Sequence, residues 1–267
     1  MKNKLIYIGG SIKSGSTLLG AVLGNNNLSI NIGEFVAFKD KFENNSLIFF
    51  QDKVVKIRNV FLWSELNKNL DLLDKTNSDD QIFKQYKFLS ENFKNKTIID
   101  SSKSQLNWTL ERFKKIKKTG IFECYFIHLI RKPEAVVFSQ TLKKNKNASL
   151  LILFKEYLKW ICTNLLTTIK YGRNSNYLKI RYEEFCVNPI NQIELIEKFT
   201  EIDFSILKNK IRLRDDLFFG YSIDGNPFSL RQKKINKIQF NDSYKEVKNY
   251  KFKLISFIFR PITLKLY

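Results

Sequence analysis

Residues 4–20 read KLIYIGGSIKSGSTLLG, and this stretch decides the fold. A short apolar strand leads into a loop of glycine, serine and lysine, which leads into a helix; this order predicts a phosphate-binding loop. Gly9 and Gly10 allow a tight turn because glycine accepts positive φ angles. The helix that follows presents unpaired backbone N–H groups at its first turn, and these groups attract an anion.

The loop departs from a Walker A sequence in the position of its lysine. A Walker A loop carries lysine directly after its last glycine, whereas here Ser16 follows Gly15 and the lysine is Lys13, inside the loop. We therefore expect the loop to bind phosphate-like oxygens other than the β/γ-phosphates of a nucleoside triphosphate. The expected donors are the ammonium of Lys13 and the hydroxyl groups of Ser14, Ser16 and Thr17. An ordinary turn between strand and helix is the alternative.

Length and composition suit one large α/β domain or two small ones. The chain has 267 residues, of which 43% are hydrophobic and 14% aromatic, enough for a substantial core. Its formal net charge of +20 predicts anionic partners such as nucleotides, sulfated or phosphorylated substrates, nucleic acid or a membrane surface. An AT-rich genome, which favours lysine, asparagine and isoleucine, explains the charge equally well, so charge alone assigns no partner.

The cysteines and the apolar segments predict a cytoplasmic protein. Cys124, Cys162 and Cys186 are far apart, odd in number and in apolar contexts, which predicts reduced core thiols and neither disulfides nor a zinc site. The N-terminus enters a strand at once, so we expect no signal peptide. The most apolar stretch, 148–171, carries charged residues, among them Lys155, Glu156 and Lys159, and is interpreted as a buried helix.

Strand and helix patterns alternate along the chain. Strands are predicted at 5–8, 97–99, 123–130 and 177–180, where short β-branched or aromatic runs precede polar turns. Helices are predicted at 17–24, 81–93, 105–118, 133–144, 149–171 and 189–200. The alternation indicates an α/β fold with a parallel sheet covered by helices on both faces. We expect a single domain, 1–267, in which 33–80 forms a lid or substrate-side segment.

Polar residues follow all four predicted strands. The exits are the Lys13 loop, 100–104 (DSSKS), 131–133 (RKP) and 181–184 (RYEE). Ligands of open α/β sheets bind beyond the carboxyl ends of the strands. The lysine and arginine residues near most of these exits therefore predict a polyanionic ligand at the edge of the sheet formed by the carboxyl ends of the strands.

Two of these segments resemble motifs of the sulfotransferases that use 3′-phosphoadenosine 5′-phosphosulfate (PAPS). Segment 10–19, GSIKSGSTLL, resembles the family's 5′-phosphosulfate loop. Segment 127–139, IHLIRKPEAVVFS, is similar to its 3′-phosphate segment, in which an arginine at a strand end precedes a serine by eight residues. Weaker likenesses are 100–103, 181–189, and Gly225-Asn226-Pro227 with Arg231, which resembles a C-terminal loop of the bacterial and Golgi-type branches. The long cytosolic form of that loop is absent.

The resemblance implies a P-loop-NTPase-like fold and transfer of a sulfuryl group from PAPS to an acceptor hydroxyl, in line and without a metal. The acceptor is expected to be a glycan, as in the carbohydrate and tyrosylprotein-like branches, or another small molecule. Lys13 is expected to stabilise the leaving oxygen, and Lys103 to contact the sulfuryl group or the acceptor. The donor-binding residues implied are Lys13, Ser14, Gly15, Ser16, Thr17, Arg131, Ser139, Gly225, Asn226 and Arg231.

A hydroxyl acceptor needs a base, and Glu34 is the preferred candidate. His128, the one histidine, lies inside an apolar strand and is interpreted as a core residue. Glu34 follows Gly33, as in branches of the family that use glutamate instead of histidine, and burial would have to raise its pKa. The alternative is a helix N-terminal glutamate favoured by the dipole. Asp100 is expected to orient Lys103 or to cap the next helix.

Two other functions stay open. A P-loop kinase or NTPase using Mg·ATP is indicated by 98–100, IID, which looks like a Walker B strand. A basic membrane-surface protein is indicated by the tail 248–267, which mixes lysine, arginine and large apolar residues. A docked C-terminal helix is the preferred interpretation of that tail. No nucleic acid is expected as a partner.

Overall fold

The chain alternates strands and helices around one central sheet. This computed structural model describes residues 2–50, 53–68, 78–103, 106–143, 145–224, 234–235, 237–240 and 242–267, with the backbone alone for 106–108. The elements are β1 (Asn3–Gly9), α1 (Ser16–Leu23), β2 (Ser29–Gly33), α2 (Phe38–Glu43), β3 (Leu47–Phe50), β4 (Lys53–Lys56), α3 (Phe61–Lys68), α4 (Asp79–Asn92), β5 (Thr97–Asp100), α5 (Leu106–Lys118), β6 (Phe122–Ile130), α6 (Pro133–Gln140), α7 (Leu150–Tyr171), β7 (Tyr177–Arg181), α8 (Tyr182–Val187), α9 (Pro189–Thr200), α10 (Ser205–Leu213), β8 (Leu217–Phe218), β9 (Lys234–Ile235) and α11 (Tyr250–Leu266). Short 3₁₀ turns span Phe35–Ala37, Ile57–Asn59 and Ser243–Glu246.

The central sheet has five strands in the order β2-β5-β1-β6-β7. All four pairings are parallel. Both faces are buried, because Leu5 and Tyr7 of β1 pack into one hydrophobic cluster while Ile6 and Ile8 pack into another. Successive side chains of a strand point to opposite faces, so an unbroken apolar run such as that of β1 indicates a strand covered on both sides. The predicted α/β fold is confirmed.

The four predicted strands are confirmed, but the edge strand β2 was missed. Residues 29–33 read SINIG, with only two large apolar side chains. The buried Asn31 completes the strand in place of an apolar residue: its Nδ2 donates to the carbonyl of Phe219 at 2.8 Å, and its Oδ1 accepts from the N–H of Gly33 at 3.1 Å. A hydrogen-bonded asparagine of this kind breaks the apolar pattern by which strands are recognised.

The six predicted helices are also present. The prediction for α6 ran four residues too far, since the helix ends at Gln140. It begins with Pro133 at its first turn, as expected from the fixed φ of proline. Helices α2, α3, α8 and α10 were not predicted.

The segment expected to be a lid shares the main core. Phe35, Phe38 and Trp63 are fully buried in the same cluster as Leu5 and Tyr7 of the sheet. The antiparallel hairpin β3–β4 lies within this segment. Its residue Phe49 donates its N–H to the carbonyl of Ser222 at 3.0 Å. A lid or substrate-side role for 33–80 stays a prediction.

The C-terminal segment forms a docked helix. Helix α11 packs against α7, and its Phe252, Ile255 and Phe259 are buried with Tyr157 and Trp160 of α7. The preferred interpretation of residues 248–267 is therefore confirmed for this part of the tail. Among the described residues, no helix is both long and apolar enough to cross a membrane.

All three cysteines are free thiols, but only two of them are core residues. Cys124 and Cys186 are buried, as predicted. Cys162 is exposed, so its assignment to the core was wrong. It lies in α7 between the buried Ile161 and Asn164, and the helical period turns position 162 towards solvent. An apolar helix with one exposed face does not bury every apolar residue that it carries.

Candidate functional site

The loop after β1 depends on two glycines with positive φ angles. Gly10 has φ 138° and Gly15 has φ 96°. A Cβ atom on Gly10 would lie 2.3 Å from the carbonyl oxygen of Leu129, and one on Gly15 would lie 2.1 Å from the ring of Tyr182. Any side chain at these positions would therefore collide with the exit of β6 or with the start of α8. Packing against neighbouring strands sets the path of the loop.

Lys13 adopts a left-handed conformation as well, with φ 67°. For a residue other than glycine this conformation is uncommon and carries strain, which concentrates at functional sites. Its carbonyl oxygen accepts a hydrogen bond from Nη1 of Arg131 at 3.0 Å. The loop is thus tied to the end of β6, where the sequence predicts a second anion-binding residue.

The loop leads directly into the N-terminus of α1. Gly15 is the N-cap residue and no side chain of the described residues caps the helix. The carbonyl of Gly15 accepts from Leu18 and Leu19, at 3.0 and 3.1 Å. The N–H groups of the first turn carry the positive end of the helix dipole. This arrangement can bind a phosphate or sulfate group, as the sequence predicts for Ser16 and Thr17.

Lys103, at the exit of β5, reaches across to the loop. Its Nζ donates to Oγ of Ser14 at 2.9 Å and to the carbonyl of Ser11 at 3.4 Å. Burial lowers the pKa of Lys103 to about 8, an effect to which the positive charge of Lys13 adds and which the carboxylate of Glu34 opposes. Lys13 and Lys103, the two lysines singled out from the sequence, are therefore close enough for their charges to interact.

Glu34 lies next to these lysines at the exit of β2. Its N–H donates to the carbonyl of Asp224 at 3.2 Å, and it begins the 3₁₀ turn Phe35–Ala37. Burial raises the pKa of the Glu34 carboxyl above its ordinary value, although the charges of Lys103 and Lys13 lower it. The raised pKa is the property that a carboxylate base needs near neutral pH. The structure brings together Lys13, Glu34 and Lys103, from three different strand exits.

Asp100 has a different role from the one expected. Its Oδ1 accepts from the N–H of Ser102 at 2.6 Å, and its Oδ2 accepts from the hydroxyl of Tyr86. Asp100 therefore does not orient Lys103 directly, and that expectation was wrong. The residues at which α5 would be capped, 104 and 105, lie outside the described residues. The carboxyl group is fully buried on β5, and its oxygens are occupied by protein donors. This arrangement weakens the likeness of 98–100 to a Walker B strand, whose aspartate faces a Mg²⁺ ion.

Ser102 connects the exits of β5 and β2. Its Oγ accepts from the N–H of Val36 at 2.9 Å, inside the 3₁₀ turn that follows Glu34. Its carbonyl accepts from the hydroxyl of Tyr7 at 2.8 Å, and its N–H is held by Asp100. Three hydrogen bonds to one buried serine thus link the turn of Glu34 to the turn of Lys103. No local sequence pattern indicates this bridge, since residues 36 and 102 are far apart in the chain.

Arg131 is held in place by contacts with the side chains of Tyr182 and Trp160. Its guanidinium lies 4.8 Å from the ring centroid of Tyr182, and its carbonyl accepts from Nε1 of Trp160 at 2.9 Å. Ser139 lies half-buried in α6, two turns further on. Glu183 accepts from the N–H of Lys132 at 3.2 Å and from the hydroxyl of Tyr267 at 2.7 Å, so it has the structural role expected of this segment.

His128 is a core residue, as predicted. Its Nε2 donates to Oδ1 of Asn164 at 2.9 Å, because the amide nitrogen of Asn164 is engaged with the carbonyl of Trp160. Its Nδ1 then accepts from the hydroxyl of Tyr177 at 2.7 Å. Burial lowers the pKa of His128 to about 4. A neutral imidazole with both nitrogens paired inside the sheet is not placed to take a proton from an acceptor.

Part of the predicted site lies outside the described residues. This holds for Gly225, Asn226, Pro227 and Arg231, and also for the side chain of Trp108. Trp63 and Trp160 are buried in the core. The ring of Tyr182 packs on Gly15, a contact that the sequence did not predict.

The fold is shared with solved sulfotransferase structures. The sulfotransferase domain of the Synechococcus PCC 7002 olefin synthase is 19% identical over 97% of this chain and 96% of its own, with a TM-score of 0.61. The sulfotransferase domain from the curacin biosynthetic pathway is 17% identical over 97% and 98%, with a TM-score of 0.57. A sulfotransferase of Mycobacterium avium is 10% identical over 99% and 77%, with a TM-score of 0.52. No protein-family model and no curated protein matches the sequence.

Proposed function

We propose that this protein is a sulfotransferase that moves a sulfuryl group from PAPS to an acceptor hydroxyl. The observation that carries the proposal is the meeting of Lys13, Lys103 and Glu34 beside the uncapped N-terminus of α1. Two cations and a helix N-terminus suit a sulfate or phosphate group. A carboxyl group with a raised pKa beside them suits proton transfer. The shared fold agrees with this chemistry.

The donor would lie along the loop and the exit of β6. The N–H groups of Ser16 and Thr17 would bind the 5′-phosphosulfate, with Ser14 and Gly15 shaping the loop. Arg131 and Ser139 would bind the 3′-phosphate, since a guanidinium forms paired hydrogen bonds with phosphate oxygens. In this proposal Gly225, Asn226 and Arg231 would close over the nucleotide.

The reaction would proceed in line. The acceptor oxygen attacks the sulfur as the bond between sulfur and the bridging oxygen breaks, and adenosine 3′,5′-bisphosphate (PAP) leaves. Lys13 and Lys103 would stabilise the negative charge that develops on the bridging oxygen. Glu34 would accept the proton of the acceptor hydroxyl. These groups of the chain supply the charge stabilisation and the base, so the proposal includes no metal ion.

The acceptor is proposed to be a hydroxyl group of a glycan or another small molecule, and the compartment to be the cytoplasm. Residues 33–80 would form the acceptor side, because this segment carries Glu34 near its start and includes the hairpin β3–β4. The carbohydrate and tyrosylprotein-like branches of the sulfotransferases would be the nearest in chemistry.

Ligand-dependent thermal stability separates this proposal from a P-loop kinase. PAP should raise the unfolding temperature in the presence of EDTA, because its two phosphate ends need only the loop and Arg131. A kinase would be stabilised by ATP only when Mg²⁺ is present. Stabilisation by Mg·ATP with no response to PAP would refute the proposal. Incubation with radiolabelled PAPS and a panel of glycans and phenols would then identify the acceptor.

A further inference from the structure

Helices α7 and α11 expose an unusual number of large apolar side chains. Of the 23 that are exposed in the described part of the chain, eight lie on α7 and six on α11. Single exposed apolar residues are ordinary on a protein surface, but a contiguous group marks a surface that binds something.

The exposed residues of each helix share one face. On α7, Leu151, Phe154 and Leu158 follow one another at helical spacing, and Leu165 and Ile169 continue the same row. On α11 the row is Leu254, Ile258 and Ile262. The two helices meet beside the α7 row, where the ring of Phe154 lies 5.2 Å from the ring of the buried Phe259. We call this two-helix surface the α7–α11 face.

Basic residues accompany the apolar rows. Helix α7 carries Lys155, Lys159 and Lys170; Lys159 is paired with Glu156, the single acid of the helix, at 2.6 Å, and Lys170 is paired with Glu111 of α5 at 2.5 Å, so Lys155 supplies most of the positive charge of α7. Helix α11 carries three lysines and one arginine and no acidic residue. A positively charged apolar surface of this kind complements a surface that is apolar within and negatively charged at its boundary.

A cationic cavity opens at the side of α11. Its volume is about 500 Å³, and its lining includes four basic residues, Lys132, Lys245, Lys253 and Arg260, and one acid, Glu134, so the basic residues are in excess. Phe257 and Leu264 line it as well, and both are exposed apolar residues of α11. Cations beside apolar side chains match the chemistry of an anionic lipid, whose phosphate group adjoins its acyl chains.

We propose that the α7–α11 face binds the surface of a bilayer that contains anionic phospholipid. Apolar rows of helices that lie in the interface enter the boundary between headgroups and acyl chains, while lysines near the surface bind anionic headgroups. A second copy of the chain is a poorer occupant, because two such basic faces repel each other. Nucleic acid would leave the apolar rows in contact with water. This proposal does not depend on sulfuryl transfer.

Membrane contact would also set the position of the candidate site. The backbone carbonyls of Leu266 and Tyr267 accept from Lys179 at 2.6 Å and Arg181 at 2.7 Å, on strand β7. The hydroxyl of Tyr267 bonds Glu183, which holds the turn of Lys132. The C-terminal end of α11 is therefore attached to the sheet edge at which Arg131 lies. Binding would hold that edge in a fixed relation to the bilayer.

Vesicle sedimentation of the full chain tests the proposal. Vesicles of phosphatidylcholine with one quarter phosphatidylglycerol should bind the protein at low salt, and pure phosphatidylcholine should bind it far more weakly. The variant Lys155→Glu/Lys265→Glu should lose roughly thirtyfold or more in vesicle affinity, given about fivefold for each basic residue near an anionic surface. Its control, Lys94→Glu/Lys117→Glu, changes the net charge equally at exposed positions elsewhere and should bind like the wild type.

The apolar rows are tested separately. Leu151→Asp/Ile258→Asp should lose at least about tenfold in vesicle affinity, whereas Leu213→Asp, at an exposed apolar residue of α10, should not. Circular dichroism and thermal unfolding identify any variant that fails to fold. Absence of vesicle binding by the wild type, or equal losses in face and control variants, would overturn the proposal. A concentration-dependent dimer abolished only by the face variants would instead assign the surface to a second copy.

Discussion

The loop 10–17 and the corner formed by Glu34 and Lys103 lie on the same sheet edge but are built in opposite ways. The loop is one continuous segment whose shape comes from two glycines and a left-handed lysine. The corner joins segments far apart in the chain through Ser102, which bonds Val36, Tyr7 and Asp100. The loop presents backbone N–H groups, whereas the corner presents two side chains with shifted pKa values.

This difference separates two tasks within one site. Binding an anion needs donors in a fixed geometry, and the backbone N–H groups of one short loop before a helix supply them. Proton transfer near neutral pH needs a group with a perturbed pKa, and burial among other charges produces that shift. Changes in the loop should therefore alter donor affinity, and changes in the corner should alter turnover.

The largest effect is expected at Glu34. Glu34→Gln removes the proposed base, so kcat should fall by about 10²–10⁴-fold while the affinity for PAP changes little. Steady-state kinetics with radiolabelled PAPS and calorimetry with PAP measure the two quantities. Glu43→Gln, at an exposed glutamate of α2, is the control and should have normal kcat. Normal turnover by Glu34→Gln would show that the base is another group.

Replacement of Arg131 should weaken the binding of the donor nucleotide. Arg131→Ala removes a charged hydrogen-bond donor worth about 1.5–3 kcal/mol, which corresponds to about a 10- to 150-fold rise in the Kd for PAP. It also removes the bond to the carbonyl of Lys13. Calorimetric titration with PAP measures the change, with Arg181→Ala at the neighbouring strand exit as control. Equal losses in both variants would mean that general charge, and no specific site, binds the nucleotide.

The pH dependence of kcat should report both side chains of the corner. Turnover should rise as Glu34 loses its proton, at a pH above the ordinary carboxyl range, because burial raises its pKa. It should fall above about pH 8, where Lys103 loses its proton, by about tenfold per pH unit. In Lys103→Arg the guanidinium stays charged, so the alkaline limb should move to higher pH. An unchanged alkaline limb in this variant would exclude Lys103 as its origin.

Ser102→Ala should have the smallest effect. It removes the acceptor for the N–H of Val36, at a cost of about 1 kcal/mol in the free energy of unfolding. The turn that carries Glu34 would loosen, so kcat should fall severalfold and the acidic limb of the pH profile should shift, with KM for PAPS unchanged. Ser101→Ala, at the buried neighbouring serine, is the control. A loss of stability without a shift of the acidic limb would limit Ser102 to a structural role.

The parallel sheet and most helices were predictable because their signals are local. Apolar runs followed by polar turns identified β1, β5, β6 and β7, and Pro133 marked the start of α6. Strand β2 was not predicted because the buried Asn31 interrupts its apolar pattern. The lysine at 103 was singled out by its position after a strand, but its bond to Ser14 depends on how two strand exits meet.

Neighbouring residues alone are enough to predict a phosphate-binding loop and the α/β architecture, because glycine positions, apolar periodicity and strand exits are local properties of the chain. By contrast, only the folded chain shows that Asp100 accepts a hydrogen bond from the N–H of Ser102 and that Cys162 is exposed to solvent. The pairing of both ring nitrogens of His128 and the raised pKa of Glu34 also follow from tertiary contacts. Desolvation and Coulomb interactions act through space, so they depend on residues that only folding brings together.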